Sequence, residues 1–186
     1  MARDKFLFSS FTVFYFLAGF VNIHFAGLAL LCMGTPFVLL VRNKKNLWCR
    51  GICPRRDYFS LFKFMNVGLK VPRWLVSFKM KNILFTYFCF NLMLIGLSTV
   101  FVSQGQMSPI DRVRLFIFFQ IPLEMPQLFS FQTVNPVFLH LSYRFYSLML
   151  SSVILGTILA VLFKPATWCV ICPVNTLSQR YIDHLS

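Results

Sequence analysis

Long apolar stretches constrain this chain more than any other feature of its sequence. Four charge-poor segments run at about Phe6–Asn22, Phe25–Val41, Asn82–Val102 and Phe145–Phe163. A helix needs about 20 apolar residues to cross a bilayer core about 30 Å thick. Because 58% of the residues are hydrophobic and only 12% are charged, a water-soluble fold could not cover these segments. We predict an all-α integral membrane protein with about four transmembrane helices, the first of them an uncleaved span rather than a signal peptide.

The basic residues predict how these helices are oriented. The chain carries a net charge of +13, and eleven of its 18 Lys and Arg residues lie between Arg42 and Lys81. Only Arg112, Arg114 and Arg144 fall in segments assigned to the opposite side. Cytoplasmic loops of membrane proteins show this excess of positive charge. We therefore expect a multi-pass protein of the cytoplasmic (inner) membrane with both termini cytoplasmic. The charge signals orientation in the lipid bilayer, and we expect no nucleic acid partner.

Two nearly identical motifs lie on the predicted cytoplasmic side. WCRGICP spans Trp48–Pro54 and is called here the first clamp, and WCVICP spans Trp168–Pro173 and is called the second clamp. Each clamp has a Trp before its first cysteine and ends in Cys-Pro. Four of the six cysteines of the chain belong to the clamps: Cys49, Cys53, Cys169 and Cys172. This pairing predicts one site shared by both clamps.

The clamps divide the predicted membrane domain into two similar halves. Residues 1–81 hold a first hairpin, the first clamp and a basic amphipathic helix at the cytoplasmic interface. Residues 82–186 hold a second hairpin, the second clamp and a short C-terminal helix. Prolines between Ile110 and Tyr143 exclude a regular spanning helix there and indicate a proline-broken outer cap of short interfacial helices. Both halves have the same orientation, which predicts a parallel pseudo-repeat.

Four cysteines in pairs suit three kinds of site. They can hold a structural zinc ion, form a thiol–disulfide relay or bind an iron–sulfur cluster. The Cys-Pro endings favour the cluster, since bacterial cluster-binding runs end in this way. A cytoplasmic position disfavours stable disulfides. We predict that the four cysteines bind one [4Fe–4S] cluster. The alternatives are a non-catalytic membrane anchor or assembly subunit whose four cysteines hold a structural metal, and a quinone-linked thiol–disulfide relay.

A Trp-Cys-x3-Cys-Pro and a Trp-Cys-x2-Cys-Pro motif, each after a hydrophobic hairpin, resemble the membrane 4Fe–4S proteins of the polyferredoxin type. That family includes the quinol-linked membrane subunit of periplasmic nitrate reductase systems and the membrane part of the nitrous-oxide reductase regulator. The resemblance implies cytoplasmic cluster-binding cysteines that pass electrons between quinone and a redox partner. Here the second clamp is one residue shorter, and we expect the protein to lack the C-terminal ferredoxin domain of the family. We therefore expect any soluble electron-carrying domain to belong to another polypeptide.

Two histidines, His24 and His140, are predicted near the outer face. Ionisable residues at membrane depth are candidates for a functional role, so this pair predicts contact with a quinone head group, with a haem b as the less favoured alternative. We expect a membrane electron-transfer subunit of an oxidoreductase complex. Its partners would be other subunits of that complex or a soluble ferredoxin-like carrier on the cytoplasmic side, which would dock on the basic face from Arg55 to Lys81.

Overall fold

The computed structural model describes residues 2–116, 119–120 and 135–185. These residues are mostly helical, as predicted. They form seven α-helices and one short antiparallel hairpin: α1 Ala2–Val21, α2 Leu28–Asn43, α3 Pro54–Leu61, α4 Phe78–Ser103, β1 Arg114–Leu115, β2 Phe119–Gln120, α5 Pro136–Leu162, α6 Thr167–Ile171 and α7 Pro173–Leu185. A 3₁₀ turn, Ile23–Gly27, joins α1 to α2.

Three of the described helical segments are long and apolar enough to cross a membrane: Ile23–Asn43, Phe78–Ser103 and Pro136–Leu162. The first apolar segment contributes a shorter helix, Ser9–Val21. The prediction of a membrane protein is thus supported by three candidate spans. The predicted number of four spans and the parallel pseudo-repeat stay predictions.

The chain forms two compact units. The first comprises the chain up to Thr12, Met33–Cys89 and the chain from Val153 onward, and it contains both clamps. The second comprises Val13–Cys32 and Phe90–Ser152, and it contains both predicted site histidines. The predicted division at residue 81 is a separate proposal based on the repeated motif, and it stays a prediction.

The first unit is built around the fully buried ring of Phe59 from α3. This ring packs with Leu75, Leu159, Ala160, Trp168 and Ile171. It fits because position 156 in α5 is glycine: a Cβ atom there would lie 2.8 Å from Cε1 and 2.9 Å from Cε2 of Phe59. The close approach of α3 to α5 therefore depends on this glycine.

The end of α5 is capped by a segment distant in sequence. The last carbonyls of an α-helix have no partner within the helix. Asn66 donates its side-chain amide to the carbonyls of Ala160 and Phe163, and the amide N–H of Val67 donates to the carbonyl of Val161 at 2.9 Å. This capping fixes the chain after the first clamp to the helix that leads into the second.

Two predicted elements differ in the structure. The amphipathic stretch after the first clamp is helical only through α3 and a 3₁₀ turn, Phe62–Met65, and it is irregular from there to α4. Gly68, in the left-handed region with φ of 76°, and Pro72 interrupt a helix there. Helix α5 begins at Pro136, nine positions before the predicted Phe145, because a proline at the first helical position loses no hydrogen bond.

Before α5, the described part of the predicted outer cap contains two short strands and no helix. Strands β1 and β2 pair Arg114 with Gln120. The N–H groups of Arg114 and Phe116 donate to Ser147 and Ser151 of α5, at 3.0 and 3.1 Å. The two serine hydroxyls thus accept the backbone N–H groups that a neighbouring strand would otherwise bind. Pro122 and Pro126, on which the prediction of a broken cap partly rested, lie outside the described residues.

Candidate metal centre

The first clamp folds as a single π turn over Trp48–Ile52. The N–H of Cys53 donates to the carbonyl of Trp48 at 3.0 Å, which is the i to i+5 pattern of a π-helix. A π turn holds one residue more than an α turn. It thereby accommodates the three residues between Cys49 and Cys53, where the second clamp has two.

The second clamp uses ordinary α-helical geometry. Cys169 lies in the short helix α6, and the N–H of Val170 donates to the carbonyl of Ala166 at 3.3 Å. The carbonyl of Lys164 accepts the N–H of Thr167 at 2.9 Å, which shapes the entry to the turn. The first clamp therefore accommodates its extra residue in a π turn, whereas the second clamp forms an α turn.

Both Cys-Pro pairs begin a new helix. Cys53 (φ −66°, ψ 112°) precedes Pro54 at the start of α3, and Cys172 (φ −57°, ψ 131°) precedes Pro173 at the start of α7. A residue before proline avoids the helical region, and proline suits the first helical position. Both second cysteines thus occupy a helix N-terminus, which favours a negatively charged group. At α7 the N–H groups of Val174 and Asn175 donate to the sulfur of Cys172.

All four clamp thiols are free, half-buried and close enough to interact electrostatically with one another. Burial, together with the charges of Cys172 and Cys53, raises the pKa of Cys49 to about 12. Burial and the charges of the other three thiols likewise raise the pKa of Cys169 to about 12. Four thiolates here would therefore need compensating positive charge from a bound metal group.

Two arginines supply part of that positive charge. Arg56 acts on both clamps, since its charge opposes the rise in pKa at Cys49 and at Cys169. Its Nη1 also donates to the carbonyl oxygen of Cys49 at 3.2 Å. Burial raises the pKa of Cys172, and the positive charge of Arg55 is the largest influence that opposes this rise.

The spacing of the thiols bears on which metal group they suit. Thiolates of a tetrahedral zinc site, with Zn–S bonds of about 2.3 Å, lie about 3.8 Å apart. Within residues 2–116, 119–120 and 135–185, no three His, Cys, Asp or Glu side chains converge closely enough to hold a single ion. A [4Fe–4S] cluster takes one thiolate on each of four irons and so requires wider spacing. The arrangement of the described side chains therefore does not match a single-ion zinc site.

The two clamp tryptophans differ in their surroundings. Trp168 is only 6% exposed and packs in the Phe59 core, beside which Cys172 also lies. Its indole N–H has no hydrogen-bond partner among the described atoms. Trp48 is half-buried. Trp168 therefore excludes water from one side of the second clamp.

Sequence reasoning missed a pair of asparagines. Asn46 lies three positions before Cys49, and Asn175 lies three positions after Cys172. Nδ2 of Asn46 donates to Oδ1 of Asn175 at 2.8 Å. Their matched distance from the clamps was the available signal, although spacing alone does not predict a contact across 129 positions.

The two predicted site histidines lie in the second unit, in different environments. His140 is fully buried, and its Nδ1 accepts the N–H of Ile110 at 3.2 Å. Its Nε2 therefore carries the proton and donates to Oγ of Ser98 at 2.9 Å. His24 stacks on Phe138 with ring centroids 5.7 Å apart.

The tautomer of His24 follows from its contact with Asn22. Nδ1 of His24 lies 2.5 Å from Oδ1 of Asn22, an oxygen that only accepts, so Nδ1 carries the proton. The lone pair on Nε2 has no hydrogen-bond partner among the described atoms. Of the two histidines, only His24 thus has a ring nitrogen without a hydrogen-bond partner among the described atoms, and this nitrogen is buried.

Comparison with known proteins adds one finding. A family model described as a 4Fe-4S binding domain matches residues 25–55 and 147–183. The matched segments contain all four clamp cysteines, whereas Cys89 lies outside them. No curated protein and no solved structure matches the chain. The match and the converging thiols support the conclusion that this is an iron–sulfur protein with a [4Fe–4S] cluster as its cofactor and a role in electron transfer.

Proposed function

We propose that the protein is a membrane electron-transfer subunit of the polyferredoxin type, in which four cysteines bind one [4Fe–4S] cluster at the cytoplasmic face. The ligands are Cys49, Cys53, Cys169 and Cys172. The single observation that carries this proposal is the mutual proximity of all four thiols within one compact unit. The bound cluster supplies reversible one-electron chemistry.

The protein's own residues do the rest. The clamp thiolates bind the cluster, and Trp168 and the other residues of the Phe59 core exclude water from one side of it. Arg55 and Arg56 offset part of the negative charge of the thiolates. A thiol–disulfide relay needs thiols with a lowered pKa. The pKa of Cys49 and of Cys169 is instead raised to about 12, which disfavours the relay.

The test compares cysteine variants of anaerobically purified protein. The parent should hold about four iron atoms per chain. Each of Cys49→Ser, Cys53→Ser, Cys169→Ser and Cys172→Ser should lose most of that iron or change its electron paramagnetic resonance spectrum. Cys89→Ser is the matched control, since Cys89 is exposed and lies outside the matched segments. Stoichiometric zinc without iron, or unchanged iron in Cys49→Ser, would refute the ligand set.

The cytoplasmic orientation is supported by the excess of basic residues on the clamp side. We expect this basic face to dock an acidic redox partner, either another subunit or a soluble ferredoxin-like carrier. Lys63 and Lys70 are exposed, so Lys63→Glu with Lys70→Glu tests docking without altering the clamps. Partner binding that is insensitive both to salt and to this double charge reversal would contradict the docking proposal.

The second redox partner in this proposal is a quinone bound near His24. The unprotonated Nε2 of His24 is suited to accept the proton that a quinol hydroxyl releases on oxidation. His24→Ala should slow the reduction of the cluster by a quinol analogue. His140→Ala should instead lower the stability of the fold, because both ring nitrogens of His140 form hydrogen bonds within the protein. An unchanged rate in His24→Ala would contradict the role of His24, and a Soret band in the pure protein would favour haem b instead.

A further inference from the structure

The Asn46 side chain contacts the first clamp and Asn175, which lies two positions after the second clamp. It is 8% exposed and lies between the end of α2 and the π turn. Its Oδ1 accepts the backbone N–H of Cys49 at 3.2 Å, and its Nδ2 donates to Asn175 at 2.8 Å. Because the N–H of Cys49 can only donate, the oxygen must face it, which fixes the orientation of the amide.

Hydrogen bonds from this pair also reach the ligand sulfurs. The Asn46 side chain donates to the sulfur of Cys49. An asparagine amide has two hydrogens, so Asn46 can bond Asn175 and Cys49 together. On the other clamp, the backbone N–H of Asn175 donates to the sulfur of Cys172. The Asn46–Asn175 bond thus joins two N–H donors, one directed at a thiol of each clamp.

Donors of this kind affect an iron–sulfur centre through charge. Reduction adds one negative charge to the cluster and its thiolates, and an N–H directed at a sulfur stabilises the more negative state. Hydrogen bonds to the sulfurs are accordingly among the factors that set the reduction potential. Loss of such a donor should lower the potential.

We propose that Asn46 and Asn175 are positioning residues that hold the two clamps in register and raise the reduction potential of the cluster. The proposal rests on the proposed function, because it assumes that Cys49 and Cys172 are ligands. It adds a role for two uncharged residues outside both clamp motifs. The bond between them joins segments that are 129 positions apart.

The test is a potentiometric titration of the detergent-purified protein, followed by electron paramagnetic resonance. Asn46→Ala removes the donor to Cys49 and the link to Asn175. We expect the ratio of reduced to oxidised cluster at a fixed potential to fall about tenfold, which is a shift of about 59 mV for one electron. Asn175→Ala removes only the link, so its shift should be smaller and in the same direction.

A second variant keeps the test decisive if Asn46→Ala does not assemble. Asn46→Asp has the same shape and still accepts the N–H of Cys49, but it has lost both side-chain donors. Its potential should fall further than that of Asn46→Ala, because it also adds negative charge near the cluster. A potential in Asn46→Asp equal to or above that of the parent would overturn the proposal.

Asn82→Ala is the matched control. Asn82 accepts a hydrogen bond from Arg180 of α7 at 2.5 Å, so its loss weakens the docking of α7. This variant should lower thermal stability and leave the potential unchanged. An equal shift in Asn82→Ala would show that Asn46 acts only through general structure. Retained iron with no shift in Asn46→Asp refutes this inference alone, whereas retained iron in Cys49→Ser refutes the ligand set.

Discussion

Replacing Gly156 by Ala tests the packing that positions the first clamp. The added methyl group would overlap the ring of Phe59 and lie 2.8 Å from its Cε1 atom. Because Phe59 is fully buried, the ring cannot turn away, and α3 or α5 must shift. Overpacking of this kind costs about 1–3 kcal/mol. Alanine is favoured over glycine in a helix by about 1 kcal/mol, so the net loss of stability should be about 1 kcal/mol.

A matched variant separates the effect of helix propensity on stability from the effect of the clash. Gly96 lies within α4, is exposed, and has no atom within 4 Å of the position of an added Cβ. Gly96→Ala should therefore gain the propensity without the clash, and the two variants should differ by about 2 kcal/mol. Thermal unfolding in detergent measures this difference, and iron content reports whether Cys53, at the start of α3, has moved.

A double-mutant cycle tests whether contact with Phe59 causes the loss of stability in Gly156→Ala. In a Phe59→Leu background the ring is gone, so Gly156→Ala should cost much less than in the parent. If Gly156→Ala is as stable as Gly96→Ala, or if its effect is unchanged by Phe59→Leu, the packing argument is wrong.

Two further predictions concern α7 and the thiols. Arg180 lies over the ring of Phe85, 4.9 Å from its centroid, so Arg180→Ala should reduce stability by about 1–2 kcal/mol and Arg180→Lys by less; equal melting temperatures for Arg180→Ala and the parent would contradict this. In the cluster-free protein the pKa of Cys49 and of Cys169 is about 12, so both thiols should be protonated and alkylate slowly at neutral pH. Above about pH 8.5 these thiols ionise in the unfolded chain but not in the folded one, so the free energy of unfolding should fall as the pH rises towards 12. Mass spectrometry after alkylation at stepped pH measures the fraction of each thiol that has reacted. Alkylation at neutral pH as fast as in the unfolded chain would contradict the raised pKa.

The sequence predicted those features that depend on local composition. Apolar length predicted the spans of α2, α4 and α5, and the paired motifs predicted that four cysteines belong together. It did not predict the π turn at Trp48–Ile52, since turn type depends on hydrogen bonds rather than on residue preference. Nor did it predict the start of α5, because Pro136 ends a helix or begins one depending on which neighbours precede it.

Contacts between distant segments were beyond sequence reasoning. The bond of Asn46 to Asn175 joins residues 129 positions apart, and the capping of α5 by Asn66 joins residues 94 positions apart. In a single sequence, asparagines such as these indicate only a loop or a turn. His140 was proposed for quinone contact because it is ionisable. In the structure its two ring nitrogens hold the N–H of Ile110 and the hydroxyl of Ser98, a use that sequence position does not reveal.

The convergence of the two clamps also orders events during synthesis. Cys49 and Cys169 are 120 positions apart. At about 5–20 residues per second, the ribosome would complete the second clamp about 6–24 s after the first. During that interval Cys49 and Cys53 have no partner thiols, and Asn46 has no Asn175 to bond. Insertion of a cluster held by both clamps must therefore follow synthesis of the second clamp, and a ribosome that stalls within α5 leaves a fragment in which the two thiols of the first clamp have no partner thiols.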